Sequence, residues 1–84
     1  MIRMLYFASL RERLGVGAKE IDPPPAASDV GGLLEHLRAR GGAWSEALAP
    51  ERTVLVAVNQ EMARDTTPVR DGDEVGVFPP VTGG

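Results

Sequence analysis

The chain has 84 residues, a formal net charge of −3 and no cysteine. This length fits one small domain, the negative charge argues against a nucleic-acid partner, and the lack of cysteine excludes disulfides, zinc–thiolate sites and thiol nucleophiles. No apolar run approaches the ~20 residues that a membrane-spanning helix needs, so we expect a cytoplasmic protein with no membrane partner.

The first third of the chain predicts two strands around a short helix. Residues 2–8 are rich in β-forming side chains and apolar on both faces, which predicts a strand covered twice or one with a face reserved for a partner. Residues 9–15 predict a short helix, with Ser9 as its N-cap and Gly15 as its terminator. Residues 18–22 predict a second strand, which the prolines that follow would stop.

The clearest helix signal spans residues 29–40. Ser28 or Asp29 can cap its start, and Gly41 follows its end. Its apolar residues recur at helical spacing and form one stripe for the core: Val30, Leu33, Leu34 and Leu37. A short helical turn is expected at 44–48.

The second half of the chain predicts three strands. Residues 53–58 are almost wholly apolar, which indicates a strand in the interior of a sheet. A turn at 59–60 leads into a short strand at 61–63, and a turn at 71–73 precedes a final strand at 74–78. This order predicts an α+β roll of the ubiquitin-like β-grasp type, with a mixed sheet of about five strands, one main helix and short extra helices.

The end of the sequence carries the most specific motif. Pro79 must end the last strand because it has no N–H to donate. The sequence closes on Gly83-Gly84, a pair that arises by chance in roughly one chain in two hundred. A backbone without Cβ atoms can pass a narrow channel and approach a ligand closely. We therefore expect an extended tail, 79–84, on a single domain, 1–84.

Four segments together identify a family. They are LYFASLRE at 5–12, AVN at 57–59, DGDEV at 71–75 and FPPVTGG at 78–84. In these segments the chain resembles the small, sulfur-carrier subunit of molybdopterin synthase, a family of ubiquitin-like β-grasp proteins. The resemblance spans nearly the full length, and the tail motif is its specific part.

The resemblance implies a reaction cycle centred on Gly84. A ubiquitin-activating-like adenylyltransferase would use ATP to adenylate the Gly84 carboxylate, and a sulfur donor enzyme would convert the adenylate to a thiocarboxylate. The large subunit of molybdopterin synthase would hold the tail in its own catalytic pocket, where sulfur passes to cyclic pyranopterin monophosphate in molybdenum cofactor biosynthesis. It also implies a heterotetramer of two small and two large subunits, with no cofactor bound permanently to this chain.

The same resemblance assigns roles to the remaining tail residues and to a docking surface. The tail residues that deliver Gly84 are Pro79, Pro80, Val81, Thr82 and Gly83. The two prolines bias the tail toward an extended path, which lowers the entropy lost on insertion, and six residues at ~3.3 Å each reach roughly 20 Å.

The family docks its large subunit on an apolar patch of the sheet, and Phe7, Met62 and Phe78 match that patch. For Phe7 and Met62 a place in the core stays open, whereas the position of Phe78 beside the tail favours the interface.

Three other functions stay open. The chain could carry sulfur for thiamine thiazole or tungsten cofactor synthesis, or it could be a protein modifier that forms isopeptide bonds through Gly84. A plain ubiquitin-like binding module is the third, although such a module has no need of a bare Gly-Gly end. No metal site is predicted, because the acidic turn at 71–74 is far shorter than a calcium-binding loop.

Overall fold

The structure, a computed structural model, describes residues 1–24, 28–49 and 53–80. The elements follow in this order: β1 (Ile2–Tyr6), α1 (Ala8–Leu14), β2 (Ala18–Ile21), α2 (Val30–Arg38), α3 (Ala43–Ala47), β3 (Leu55–Val58), β4 (Glu61–Met62) and β5 (Glu74–Phe78). The five strands form one sheet in the order β2-β1-β5-β3-β4. Strands β1 and β5 are parallel and the other neighbours are antiparallel. This mixed sheet, together with α2 as the longest helix of the described residues, confirms the predicted α+β β-grasp fold.

One face of the sheet packs against the helices. Tyr6 on β1 and Val75 and Val77 on β5 are buried on this face. They belong to one core cluster that also contains the apolar stripe of α2: Val30, Leu33, Leu34 and Leu37. Successive strand residues point to opposite faces of a sheet. The alternate residues of β1 and β5 therefore lie on the face away from the helices.

The two central strands bring distant parts of the sequence to the same end of the sheet. Because β1 and β5 run in the same direction, Tyr6 is paired with Val77. The Phe7 N–H then donates to the Val77 carbonyl oxygen at 3.2 Å. Phe7 and Phe78 consequently leave the sheet side by side, at the end from which the predicted tail departs.

Helix α2 matches its sequence signal. The Asp29 carboxylate accepts a hydrogen bond from the Gly32 N–H at 2.8 Å, so Asp29 and not Ser28 is the N-cap. The helix spans Val30–Arg38 and is thus slightly shorter than the predicted 29–40. The predicted apolar stripe is buried throughout, which confirms that this face of α2 forms the core.

The start of α1 differs from the prediction. Strand β1 ends at Tyr6, and the helix begins at Ala8 with Phe7 as its N-cap, so Ser9 is not the cap. The carbonyl oxygen of Phe7 accepts hydrogen bonds from two N–H groups in the first turn of the helix, at 3.1 and 3.4 Å. Ala8 turns the chain with a positive φ of 52°. The predicted terminator is confirmed, since Gly15 ends the helix in the left-handed conformation at φ 72°.

Boundaries of four other elements shift by one or two residues. Strand β2 ends at Ile21, α3 spans Ala43–Ala47, β3 begins at Leu55 and β4 ends at Met62. The β3–β4 hairpin turn is at Asn59 and Gln60 as predicted. Both residues have positive φ, 51° and 70°, which a two-residue turn of type I′ requires.

Candidate functional site

The sheet face away from the helices carries Arg3 and Glu74 at one end and an apolar surface at the other. We call this surface the open face; it consists of Leu5, Phe7, Leu55, Ala57, Met62, Gly76 and Phe78. The cross-strand register pairs Leu5 with Gly76, Gly76 with Ala57, and Ala57 with Met62, so these four residues form one row across the sheet. Leu55 is paired with Phe78 in the next row. The open face therefore extends from β1 to the edge strand β4.

All three predicted interface residues lie on the open face. Met62 is 68% exposed and Phe7 is 38% exposed, so solvent reaches both of these large hydrophobic side chains. A core position for these two residues is therefore wrong. Phe78 is half-buried, because its ring packs against that of Phe7.

Phe7 and Phe78 form a stacked pair above Gly76. Their ring centroids are 4.5 Å apart and the ring planes differ by 5°. A Cβ atom at Gly76 would lie 3.3 Å from Cε2 of Phe7 and from Cε1 of Phe78, so the two rings rest directly on the glycine backbone. The sequence prediction did not include Gly76. A glycine inside a strand pattern is the signal that could have found it, since it often marks a close approach.

The tail begins where this aromatic pair ends. Strand β5 stops at Phe78, followed by a half-buried Pro79 and an exposed Pro80. The predicted end of the strand before Pro79 is thus confirmed. The other predicted tail residues lie outside the described residues: Val81, Thr82, Gly83 and Gly84.

A cavity of about 190 Å³ lies beside Pro79 and Pro80, between these prolines and helices α1 and α3, and we call it the tail-root cavity. Helix α1 contributes Ser9, Leu10 and Arg13 to its lining. The other lining residues are Ala47, Thr53, Val54, Pro79 and Pro80. Sequence reasoning missed this cavity because it combines three segments that are far apart in the chain.

On the helix-facing side of the sheet, the side chain of Tyr6 has a pKa that is shifted from its usual value. Burial raises the pKa of its hydroxyl to about 12, and within the described residues this hydroxyl has no hydrogen-bond partner. The ring meets Trp44 edge-on at 5.3 Å, and the Arg40 guanidinium lies 4.9 Å above the Trp44 ring. A neutral phenol enclosed in this way is suited to packing rather than to proton transfer.

Two kinds of feature are missing from the ranges 1–24, 28–49 and 53–80. No group of three or more His, Cys, Asp or Glu side chains is placed to hold a metal ion there. No helix within them is long and apolar enough to cross a bilayer. What these residues do provide is an exposed apolar surface directly beside Pro79 and Pro80, where the predicted tail begins.

Comparisons with known proteins find relatives of this chain. A profile of the ThiS family matches residues 4–84. The molybdopterin synthase sulfur carrier subunit of Escherichia coli (strain K12) is 42% identical over 87 residues, and the alignment covers all of both chains.

Two solved structures share the fold over nearly all of the chain. The small archaeal modifier protein 1 of Haloferax volcanii has a TM-score of 0.78 at 26% identity, with 95% of this chain and 97% of that chain covered. A chain from the complex of subunits 1 and 2 of the molybdopterin-converting factor of Helicobacter pylori 26695 has a TM-score of 0.65 at 25% identity. That alignment covers 99% of this chain and 97% of the other.

Proposed function

The chain belongs to the ThiS family of ubiquitin-like β-grasp proteins, and on this basis we propose that it is the sulfur carrier subunit of a cytoplasmic molybdopterin synthase. The full-length relationship to the E. coli sulfur carrier subunit supports the chemistry. The structural observation that carries the proposal is the exposed Phe7–Phe78 pair at the point where the tail leaves the sheet. A carrier needs a docking surface and a reactive end that one partner can engage together.

In the proposed cycle the reacting group is the Gly84 carboxylate. A free α-carboxyl has a pKa of about 3.5, so near neutral pH it is an anion and a poor electrophile. Adenylation with ATP, by an enzyme of the ubiquitin-activating type, turns one carboxylate oxygen into part of a leaving group. Sulfur that a donor enzyme supplies at the oxidation level of sulfide then attacks the carbonyl carbon; the C–S bond forms, the bond from this carbon to the AMP oxygen breaks, and AMP leaves. The resulting thiocarboxylate passes its sulfur to cyclic pyranopterin monophosphate.

The remaining tail residues deliver this group. Pro79 and Pro80 stiffen the start of the tail and so reduce the entropy lost when it enters a partner. Gly83 lets the backbone pass a narrow channel because it has no side chain. Val81 and Thr82 connect these two parts. No cofactor or metal stays bound to the chain in this scheme, and ATP is consumed by the activating enzyme.

The open face is the proposed docking surface for the large subunit, whose pocket performs the catalysis. Phe7, Met62 and Phe78 supply large apolar side chains that solvent reaches in the free chain. Exposed apolar patches of this kind mark interaction sites, and aromatic residues often dominate binding energy. The proposed assembly contains two small and two large subunits.

Mass spectrometry of the charged chain tests this function directly. With ATP, an activating enzyme and a sulfur source, the intact chain should gain the mass of one oxygen-to-sulfur exchange, located at Gly84. The matched control is a chain that lacks Gly84, which should show no gain. Charging of the E. coli carrier in the same mixture establishes that the enzymes are competent. If this chain then gains no mass, the proposal is wrong.

A second candidate function is protein modification through Gly84. It is favoured by the likeness to the small archaeal modifier protein 1 of H. volcanii. Both functions begin with adenylation, so the later products distinguish them. Covalent conjugates with lysine side chains in cells, without a thiocarboxylate form, would favour the modifier. Co-purification with a partner from thiamine thiazole or tungsten cofactor synthesis would instead assign the sulfur carrier to that pathway.

A further inference from the structure

The tail-root cavity combines an apolar wall with a cation. Leu10 and Val54 form part of the wall, and two further lining residues, Ser9 and Thr53, carry hydroxyl groups. Arg13 contributes the only positively charged side chain in the described lining. A volume of about 190 Å³ holds one side chain but is too small for a folded segment of a partner.

The charge of Arg13 has no partner in the described part of the chain. Arg13 is exposed, and no described carboxylate forms an ion pair with it. Its position in the last turn of α1 offers a weak favourable interaction with the helix dipole. A guanidinium presents several N–H donors in a planar fork, which suits a carboxylate acceptor.

The position of the cavity connects it to the proposed docking of the large subunit. A channel that takes up the tail must meet the surface of this chain around Pro79 and Pro80, and Pro79 is itself half-buried in that surface. The channel wall meets Phe7 and Phe78 on the open face. It also meets the tail-root cavity, because both prolines line that cavity. A partner that binds the aromatic pair and takes up the tail therefore also covers this cavity.

We propose that the tail-root cavity receives an acidic side chain from the rim of the large subunit's tail channel, an inference that rests on the proposed function. The aliphatic part of this Asp or Glu packs against Leu10 and Val54. Its carboxylate accepts hydrogen bonds from the guanidinium of Arg13 and from the hydroxyls of Ser9 and Thr53. The contact fixes the direction in which the tail enters the channel.

Binding kinetics distinguish a carboxylate enclosed in the cavity from a solvated charge at the rim. Loss of an enclosed, hydrogen-bonded charge pair raises the dissociation rate, whereas loss of a rim charge changes the association rate and its salt dependence. For Arg13→Ala we expect the dissociation rate of the complex with the large subunit to rise about tenfold, with the association rate changed less than about threefold. The dissociation rate of Arg13→Lys should lie between those of this variant and the wild type, because lysine keeps the positive charge but lacks the planar set of N–H donors.

Two further variants complete the test. Arg70→Ala removes an exposed arginine near the start of β5, at the other end of the sheet, and should change neither rate. Thr53→Asp places a negative charge in the cavity, where it repels the carboxylate of the partner, and should therefore raise the dissociation rate as Arg13→Ala does. An unchanged dissociation rate for Arg13→Ala, or a change in association rate alone, would overturn the proposal. If Phe78→Ala weakens binding while Arg13→Ala does not, only this inference fails; if the wild type does not bind the large subunit, the proposed function fails with it.

Discussion

Phe7 and Phe78 stack with their ring centroids 4.5 Å apart, although 70 residues separate them in the sequence. The parallel pairing of β1 with β5 places both residues at the same end of the sheet. Each ring shields one face of the other, but the outer surface of the pair remains accessible, and Phe7 is 38% exposed. A preformed aromatic pair loses little conformational entropy on binding, which suits it to the centre of an interface.

Replacement of Phe78 by Ala should weaken binding of the large subunit by about 100-fold, the effect of losing a hot-spot side chain worth ~2–3 kcal/mol. The fold should survive, because Phe78 is not part of the buried core cluster. Titration calorimetry measures the affinity, and circular dichroism measures the thermal midpoint. Met62→Ala, at the edge of the open face, is the matched variant and should cost less. Undiminished affinity of the Phe78 variant, or its unfolding, would contradict the assignment.

Tyr6→Phe should leave stability unchanged or increase it by about 1 kcal/mol, because a buried polar group without a partner costs ~1–3 kcal/mol. The hydroxyl of Tyr6 is buried and has no hydrogen-bond partner within the described residues. The ring would keep its edge-on contact with Trp44. Urea unfolding at neutral pH measures the difference. A loss of more than about 1 kcal/mol would instead indicate a partner for the hydroxyl.

Tyr6 should also make the stability of the protein depend on pH in the alkaline range. Burial raises the pKa of folded Tyr6 to about 12, whereas an unfolded tyrosine titrates near ~10. The stabilising effect is therefore complete below about pH 10 and is lost as the pH rises toward the folded value. Because Tyr6 is the only tyrosine, phenolate absorbance follows this one group. Tyr6→Phe should lose less stability than the wild type over the same range.

Sequence patterns predicted the elements well where the deciding interactions are local. The apolar stripe of α2 and its Asp29 cap involve residues within one helix, and β5 ended where Pro79 has no N–H. The predicted start of α1 was wrong because the true start depends on the left-handed backbone conformation of Ala8. Alanine carries no local signal for this conformation.

The site was predictable only in part for a related reason. Phe7, Met62 and Phe78 were found by family resemblance, but the register that places Gly76 under the aromatic pair comes from pairing between distant strands. The tail-root cavity likewise depends on packing of α1 and α3 against the residues that precede β3. Tertiary contacts of this type leave no periodic pattern in the sequence.

Acid should weaken the contact between the β3–β4 turn and the turn that precedes β5. Hydrogen bonds from the Asn59 side chain and the Arg70 N–H hold the pKa of Asp73 below its usual value. The carboxylate therefore contributes stability above the unfolded value of ~3.9, and this contribution is lost as the pH falls through the lower folded value.

The pKa of Asp73, followed by carbon-detected NMR, should rise toward the usual value in Asn59→Gly. Glycine tolerates the positive φ of 51° at this position, so the variant removes the hydrogen bond without straining the turn. Asp73→Asn is the matched control and should remove the acid-dependent part of stability. An unchanged Asp73 pKa in Asn59→Gly would assign the shift to Arg70 instead.

Gly76 should control affinity for the large subunit without contacting it, through the position of the aromatic pair. A Cβ atom there would lie 3.3 Å from both rings, which is close enough that the rings must move outward. Gly76→Ala requires a small shift and should reduce affinity by less than about tenfold. Gly76→Val adds two more methyl groups under the pair and should reduce it by about 100-fold, near the effect of losing a hot-spot side chain. β-branched residues favour strands, so the backbone of β5 should persist in both variants.

Near-ultraviolet circular dichroism separates this positioning role from general loss of stability. The signal of the stacked rings should change in Gly76→Val while the far-ultraviolet spectrum stays that of the wild type. The matched control is Ala57→Val, which adds the same two methyl groups to the neighbouring strand in the same row of the open face. It should leave the aromatic signal in place. If Gly76→Val binds the large subunit as tightly as the wild type does, the rings do not need their place over Gly76 in order to dock.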